Sequence, residues 1–250
     1  MEGLNAIDAK PTEAGLTQDE RVADTFVAPS KTFTDILRST VWWLPFLLAV
    51  LMALCVTFTI DKKVGFERVV ENTIHSSPKQ EEQLSSLTPE QRAARVRSMA
   101  FGYRFTSYGS PLIILIFSAI GAVVLWGSFN FGLGAHTTFA QMFCLWMYCS
   151  LPRLISGLLT IITIAFGGNP ESFDLKNPVG TNLGYYLPDA APWLKAALGF
   201  FDLIGIWDVV LLILGTAIVA KVSRGKAAAV IVGWWVLLLI ITIATTAAFR

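Results

Sequence analysis

Hydrophobic positions fall into five long runs, 41–60, 111–134, 138–166, 196–220 and 227–248, separated by polar segments. At 1.5 Å per residue, an α-helix needs about 20 apolar residues to cross a hydrocarbon core of about 30 Å. Each run meets that length, so the pattern predicts an all-α, polytopic membrane protein built as a bundle of five transmembrane helices. The connections near 135–137 and 221–226 leave room only for turns, so spans two and three, and spans four and five, are expected to be antiparallel neighbours. Small residues four apart mark faces on which another helix packs closely: Ser118 and Ala122 in span two, Ala229 and Gly233 in span five.

The polar segments carry patterns of their own. Residues 1–29 show little hydrophobic periodicity and hold Glu2, Asp8, Glu13, Asp19, Glu20 and Asp24 against Lys10 and Arg21, which reads as a disordered acidic tail. Ser30 is the right residue type to cap a short amphipathic helix with Phe33, Ile36 and Leu37 on one face, expected to lie along the membrane surface. That helix leads into Trp42 and Trp43, an aromatic pair of the kind found at headgroup level. Segment 61–108 is too long for a plain connector and is expected to be helical. Thr88, Pro89 and Gln91 form a capping box with proline at the first helical position, opening a helix that reaches about Phe105 and carries Arg92, Arg95 and Arg97. Those arginines could meet lipid phosphates, although a solvated face is the commoner cause of such a cluster. Pro152 interrupts span three and predicts a kink. Connector 167–193 holds the turn signals Asn169-Pro170, Asn177-Pro178, Leu187-Pro188 and Ala191-Pro192, with Tyr185 and Tyr186 placed for the interface.

Composition adds exclusions. Hydrophobic residues make up 54% of the chain and charged residues only 15%, too few charges for a soluble domain. A net charge of +1 gives no field that would attract nucleic acid. Cys55, Cys144 and Cys149 lie in apolar runs without zinc spacing and read as small hydrophobes. His75 and His136 fall in polar connectors. The chain has no HExxH, GxSxG or CxxC pair and no Gly-rich phosphate loop, so no catalytic residue, metal or cofactor is expected. No short apolar stretch of a cleavable signal peptide precedes residue 41, and 41–60 is expected to act as a signal anchor.

Several short matches recur in order along the chain: Pro29, Phe33, Trp43 and Pro45 at the entry to span one; Phe139-Ala-Gln141 leading to Pro152; Asn182-Leu-Gly184; and Asp202, Trp207 and Gly215 in span four. With five hydrophobic runs at this spacing, the chain from 30 to 250 resembles the Yip1 domain family, and the long segment after span one resembles that of bacterial members. The resemblance implies a non-enzymatic integral membrane protein of the scaffold, membrane-organising or trafficking type. Eukaryotic members associate with small GTPases, a role this tail shows no motif for. Arg153 and Asp208 depart from the family's usual uncharged pattern.

The ionisable residues within the spans carry the functional question. A charge at the centre of a membrane helix costs about 3 kcal/mol on insertion scales, so it normally faces protein, water or a counter-charge. Arg153 stands about fifteen residues into span three and Asp208 about twelve into span four, which runs the opposite way, so the two are expected to meet near the midplane as a salt bridge. Asp202 lies about 120° around the same helix from Asp208, nearer its outer end. Trp207 is expected to pack, or to lie against Arg153 by a cation–π contact. Two functions follow: a scaffold in which these charges hold the bundle's register, or a transporter or channel component in which Asp202, Asp208 and Arg153 line a polar path. The three groups nearly neutralise one another and no inverted repeat is evident, which favours the scaffold. An intramembrane enzyme is the least favoured class. The expected partners are the lipid bilayer and a second copy or another membrane protein, not nucleic acid. The cations of the last hairpin, with Lys31 and Arg38, favour an N-terminus in the cytoplasm and a C-terminus outside, and the resemblance to bacterial members implies a bacterial cytoplasmic membrane.

Overall fold

The computed structural model describes residues 15–167, 173–175, 177–187 and 190–249, and these are helical with no strand among them. A helical hairpin, α1 (Gln18–Val27) and α2 (Pro29–Ile36), precedes the first span, α3 (Trp43–Lys63). The polar segment then forms α4 (Phe66–His75), α5 (Pro78–Ser85) and α6 (Pro89–Tyr108). Span two is α7 (Ser110–Gly127), prolonged by a π-helical turn, Ser128–Gly132. Span three is split into α8 (Phe139–Cys149) and α9 (Arg153–Phe166), with the break at Pro152. A short 3-10 turn, Leu183–Tyr186, leads to α10 (Pro192–Gly199) and α11 (Leu203–Val219), and α12 (Arg224–Phe249) closes the described chain. Among the described residues, four spans are long and apolar enough to cross a bilayer, and α10 with α11, bent by 48°, makes a fifth when counted as one broken span.

The tail differs from expectation. Thr17 and Glu20 form a reciprocal capping box, the Glu20 carboxylate accepting from the Thr17 N–H at 2.8 Å, and they start a helix inside the stretch expected to be disordered. Positions 1–14 lie outside the described residues. The next helix starts at Pro29 with Ala28 before it, so Ser30 is inside the first turn rather than capping it. Phe33 and Ile36 are fully buried while Leu37 is exposed, so the apolar face of α2 packs into protein. The Trp42–Trp43 pair also divides. Trp43 is exposed, but Trp42 turns inward to meet Phe143 edge-to-face at 5.0 Å.

The centre of the bundle is α8, whose Met142, Cys144, Leu145, Met147 and Tyr148 are buried on all sides by α7, α11 and the N-terminal hairpin. Spans two and three are antiparallel neighbours, as are α11 and α12. Asn130 fastens the first of these turns, accepting from the Thr137 N–H and hydroxyl at 2.9 Å each, and Gly134 supplies the positive φ (66°) that the reversal needs. A second, smaller core gathers Phe66, Val69, Val70 and Ile74 of α4 against Val96 and Ala100 of α6 and Ile60 at the end of α3.

Small residues set the closest approaches. Ser118 and Ala122 are buried where α7 meets α8, and beside them a Cβ on Gly121 would stand 2.5 Å from the Trp146 ring. The face expected at Ala229 and Gly233 is different: both are exposed, nothing lies within 4 Å of a Cβ on Gly233, and α12 instead buries Ala227 and Ile231.

Candidate functional site

Within the spans, the ionisable residues occupy two separate structures. At the first, Arg153 opens α9 directly after Pro152, where the break in span three turns its side chain toward α11. Its Nε donates to Asp208 Oδ2 at 2.7 Å. The two ends of this pair differ sharply in environment, since the Asp208 side chain is 8% exposed and that of Arg153 is 71% exposed. Asp208 Oδ1 is buried without a hydrogen-bond partner among the described residues. The contact is single-pronged, leaving the terminal nitrogens of Arg153 without a protein partner among the described residues.

Depth explains the asymmetry. A Cβ on Gly157 of α9 would lie 2.5 Å from Met52 of α3, and spans one and three run the same way. Arg153, one turn earlier, is therefore level with about residue 48, only about 8 Å along the axis from Trp43 at the start of α3. The pair thus lies about a quarter of the way along α3 from Trp43. A guanidinium at this depth reaches the headgroups along its own stem.

The second structure is the break in span four. Run 196–220, expected as one helix carrying two charges, is interrupted, and Asp202 is the N-cap of α11. Its Oδ1 accepts from the N–H groups of Ile204 and Gly205 at 2.9 and 3.0 Å, and Oδ2 accepts from the Thr181 hydroxyl. The Leu203 N–H in turn donates to the Thr181 carbonyl at 3.0 Å. Asn182 caps the 3-10 turn by accepting from the Tyr185 N–H, and Gly184 lets that turn approach α10 so closely that a Cβ there would stand 2.6 Å from the Lys195 carbonyl. Tyr185 and Tyr186 are exposed beside it. Asp202 is thus a structural carboxylate spent on backbone amides, and it does not join Arg153 and Asp208.

Of the two contacts expected for Trp207, the structure shows packing. The indole meets Phe26 edge-to-face at 5.7 Å, tying α1 to α11, and the one cation–π contact among the described residues is Lys62 over Phe58. Gly215 is a point of triple contact. A Cβ there would lie 2.3 Å from Leu145 and 3.3 Å from the Phe33 ring, so its absence admits α8 and α2 together.

A third polar cluster was missed in the sequence. Arg21, 1% exposed, donates from Nε to Asp35 Oδ2 at 2.6 Å and from Nη1 to the Ser39 carbonyl at 2.9 Å, while the Thr25 and Thr32 hydroxyls donate to its own carbonyl. Arg38 holds the other Asp35 oxygen at 2.7 Å. Burial pushes the Asp35 carboxyl up, but hydrogen bonds and charge from Arg38 and Arg21 outweigh it and hold the group below the usual carboxylate range. The Thr17-x-x-Glu20 signature was the one local signal, and the acidic composition around it concealed it.

The recurring residues thus share a purpose. Phe33 and Gly215 interlock, Gln141 completes a capping box with Thr138, Pro152 breaks span three, and Asn182, Gly184 and Asp202 build the break in span four. Comparison with known families finds the Yip1 domain matching residues 23–245. This chain belongs to the Yip1 domain family. Neither the curated proteins nor the solved structures contain a match. The Yip1 match begins within α1 and takes in the second half of that helix and all of α2.

Proposed function

We propose that this Yip1-family protein is a non-enzymatic membrane scaffold whose charged residues within the spans hold helices in register. The observation carrying this reading is that both carboxylates in span four are already engaged structurally, Asp208 by the Arg153 guanidinium and Asp202 by the α11 cap and the Thr181 hydroxyl. Its partners are the bilayer and a second copy or another membrane protein, for which the exposed Ala229–Gly233 face of α12 offers a close approach. We further propose a bacterial cytoplasmic membrane with the N-terminus inside, supported by exposed Lys221, Arg224 and Lys226 in the last hairpin.

One observation favours a second reading, a transporter or channel component. Asp208 Oδ1 is a buried acceptor with no partner among the described residues, the kind of group a passing cation or proton uses. Proteoliposomes decide between them. The scaffold reading expects no ion or small-solute flux above that of empty vesicles, and flux that disappears in Asp208→Asn would refute it.

A further inference from the structure

Outside the bundle, α4 and α6 pack along their buried faces but leave a cleft of about 660 Å³ above the end of α3. Its two walls differ in charge, acidic side chains predominating on α4, where Arg68 also lines the cleft, and basic ones on α6, with Asp61 of α3 between them. On α4, Glu67 and Glu71 are four apart and share a face, and on α6, Arg97 and Arg104 are seven apart and share another. Some of these charges are engaged: Arg104 reaches Asp61 at 3.0 Å, as does the Tyr108 hydroxyl, and Glu71 lies 4.0 Å from Arg68. Glu67 and Arg97 are exposed and have no partner among the described residues, so an acid and a base face the same open cleft without closing it.

The cleft continues into a second, nearly apolar groove of about 440 Å³ that shares Arg104 and Phe101 with it and runs down α6 past Phe105 to Gly109, where span two begins. Phe101 and Phe105 are stacked at 6.4 Å and are 71% and 73% exposed, an arrangement that water penalises and acyl chains do not. Lys62 and Lys63 end span one at the same level, which puts the cleft at the membrane–water boundary.

We propose that the α4–α6 cleft binds phosphatidylethanolamine, its phosphate on Arg97 and Arg104, its ammonium on Glu67 and Glu71, and an acyl chain along Phe101 and Phe105. The charge balance selects the lipid. A purely anionic headgroup would satisfy the arginines and set its charge against two glutamates, whereas a zwitterionic one matches both walls. A primary ammonium has three N–H donors for the carboxylates and a choline has none. The inference is independent of the scaffold reading, because the cleft lies outside the bundle and uses none of its intramembrane charges.

Native mass spectrometry of the full-length protein tests it, with phosphatidylethanolamine, phosphatidylcholine and phosphatidylglycerol of identical chains added in turn. Phosphatidylethanolamine should be retained roughly tenfold more tightly than either competitor, the effect of one charge-assisted contact. Arg97→Gln should weaken its retention, and Glu67→Gln with Glu71→Gln should abolish the preference and favour phosphatidylglycerol. Both changes are at exposed side chains, and an unchanged melting temperature confirms that the fold is intact. Equal retention of the three lipids, or a preference that survives the double glutamine variant, would overturn the proposal. Glycerophosphoethanolamine retained as tightly as the lipid would overturn the role given to the apolar groove.

Discussion

The Arg153–Asp208 pair should respond asymmetrically to the loss of either member. Arg153→Leu leaves an 8% exposed carboxylate facing a bundle interior in which one of its oxygens already lacks a partner. Orphaning a buried charge costs about 3–5 kcal/mol. Asp208→Leu instead removes the buried charge and leaves a guanidinium that is already 71% exposed and can reach toward the headgroups, which costs about 1 kcal/mol. With about 2–4 °C of melting temperature per kcal/mol for a chain of this size, Arg153→Leu should lower the midpoint by roughly 6–20 °C and Asp208→Leu by roughly 2–4 °C. The double leucine variant has no stranded charge and should lie close to Asp208→Leu, giving a coupling energy of about 3–5 kcal/mol in the cycle. Thermal unfolding of the purified protein in a mild detergent measures all four species. Equal losses from the two single changes would refute the asymmetry, and additive losses in the double would show that the pair contributes nothing as a pair.

Three further outcomes are expected. Asp202→Ala should lower stability by about 1–2 kcal/mol through loss of the α11 cap, and Asp202→Asn, which keeps an acceptor, by less, as read from the same thermal midpoint. Gly215→Ala should cost about 1–3 kcal/mol because its Cβ would stand 2.3 Å from Leu145, and a companion Leu145→Ala should relieve the overlap, whereas an unrelieved loss would place the strain elsewhere. Asp35 has a folded-state pKa below its unfolded value, so its contribution is complete above the ordinary carboxylate range and is lost as pH falls through the lowered folded value. Limited proteolysis of the α1–α2 hairpin should therefore be constant from neutral pH down to about 5 and accelerate below about 4, whereas Arg21→Leu should be cleaved readily throughout.

Reading the chain linearly succeeded at Thr88 and at Pro152, where the signal is local and self-sufficient. Thr88-Pro89-x-Gln91 specified the start of α6 because both reciprocal bonds of a capping box lie within four residues. Pro152 specified the break in span three because its ring blocks the helix whatever surrounds it. The tail failed for the converse reason. Its acidic composition suggested disorder, but α1 is held by Arg21 reaching to Asp35 and Ser39, and by Tyr148 donating to Gln18 at 2.9 Å from span three. None of those partners is visible in a window around residue 21.

Amino-acid order alone determined the hydrophobic runs, the two tight antiparallel pairs, the kink and the charges that the spans would have to accommodate, because each depends on length, periodicity or a single residue's covalent geometry. Tertiary structure alone decided that Asp202 caps a broken helix, that Trp207 meets Phe26, that Ala229 and Gly233 stay uncovered, and that Arg153 points outward while Asp208 is enclosed. Those outcomes turn on how far one helix slides and rotates against its neighbours. A rotation of about half a turn exchanges a buried face for an exposed one, and only the packing of the whole bundle fixes it.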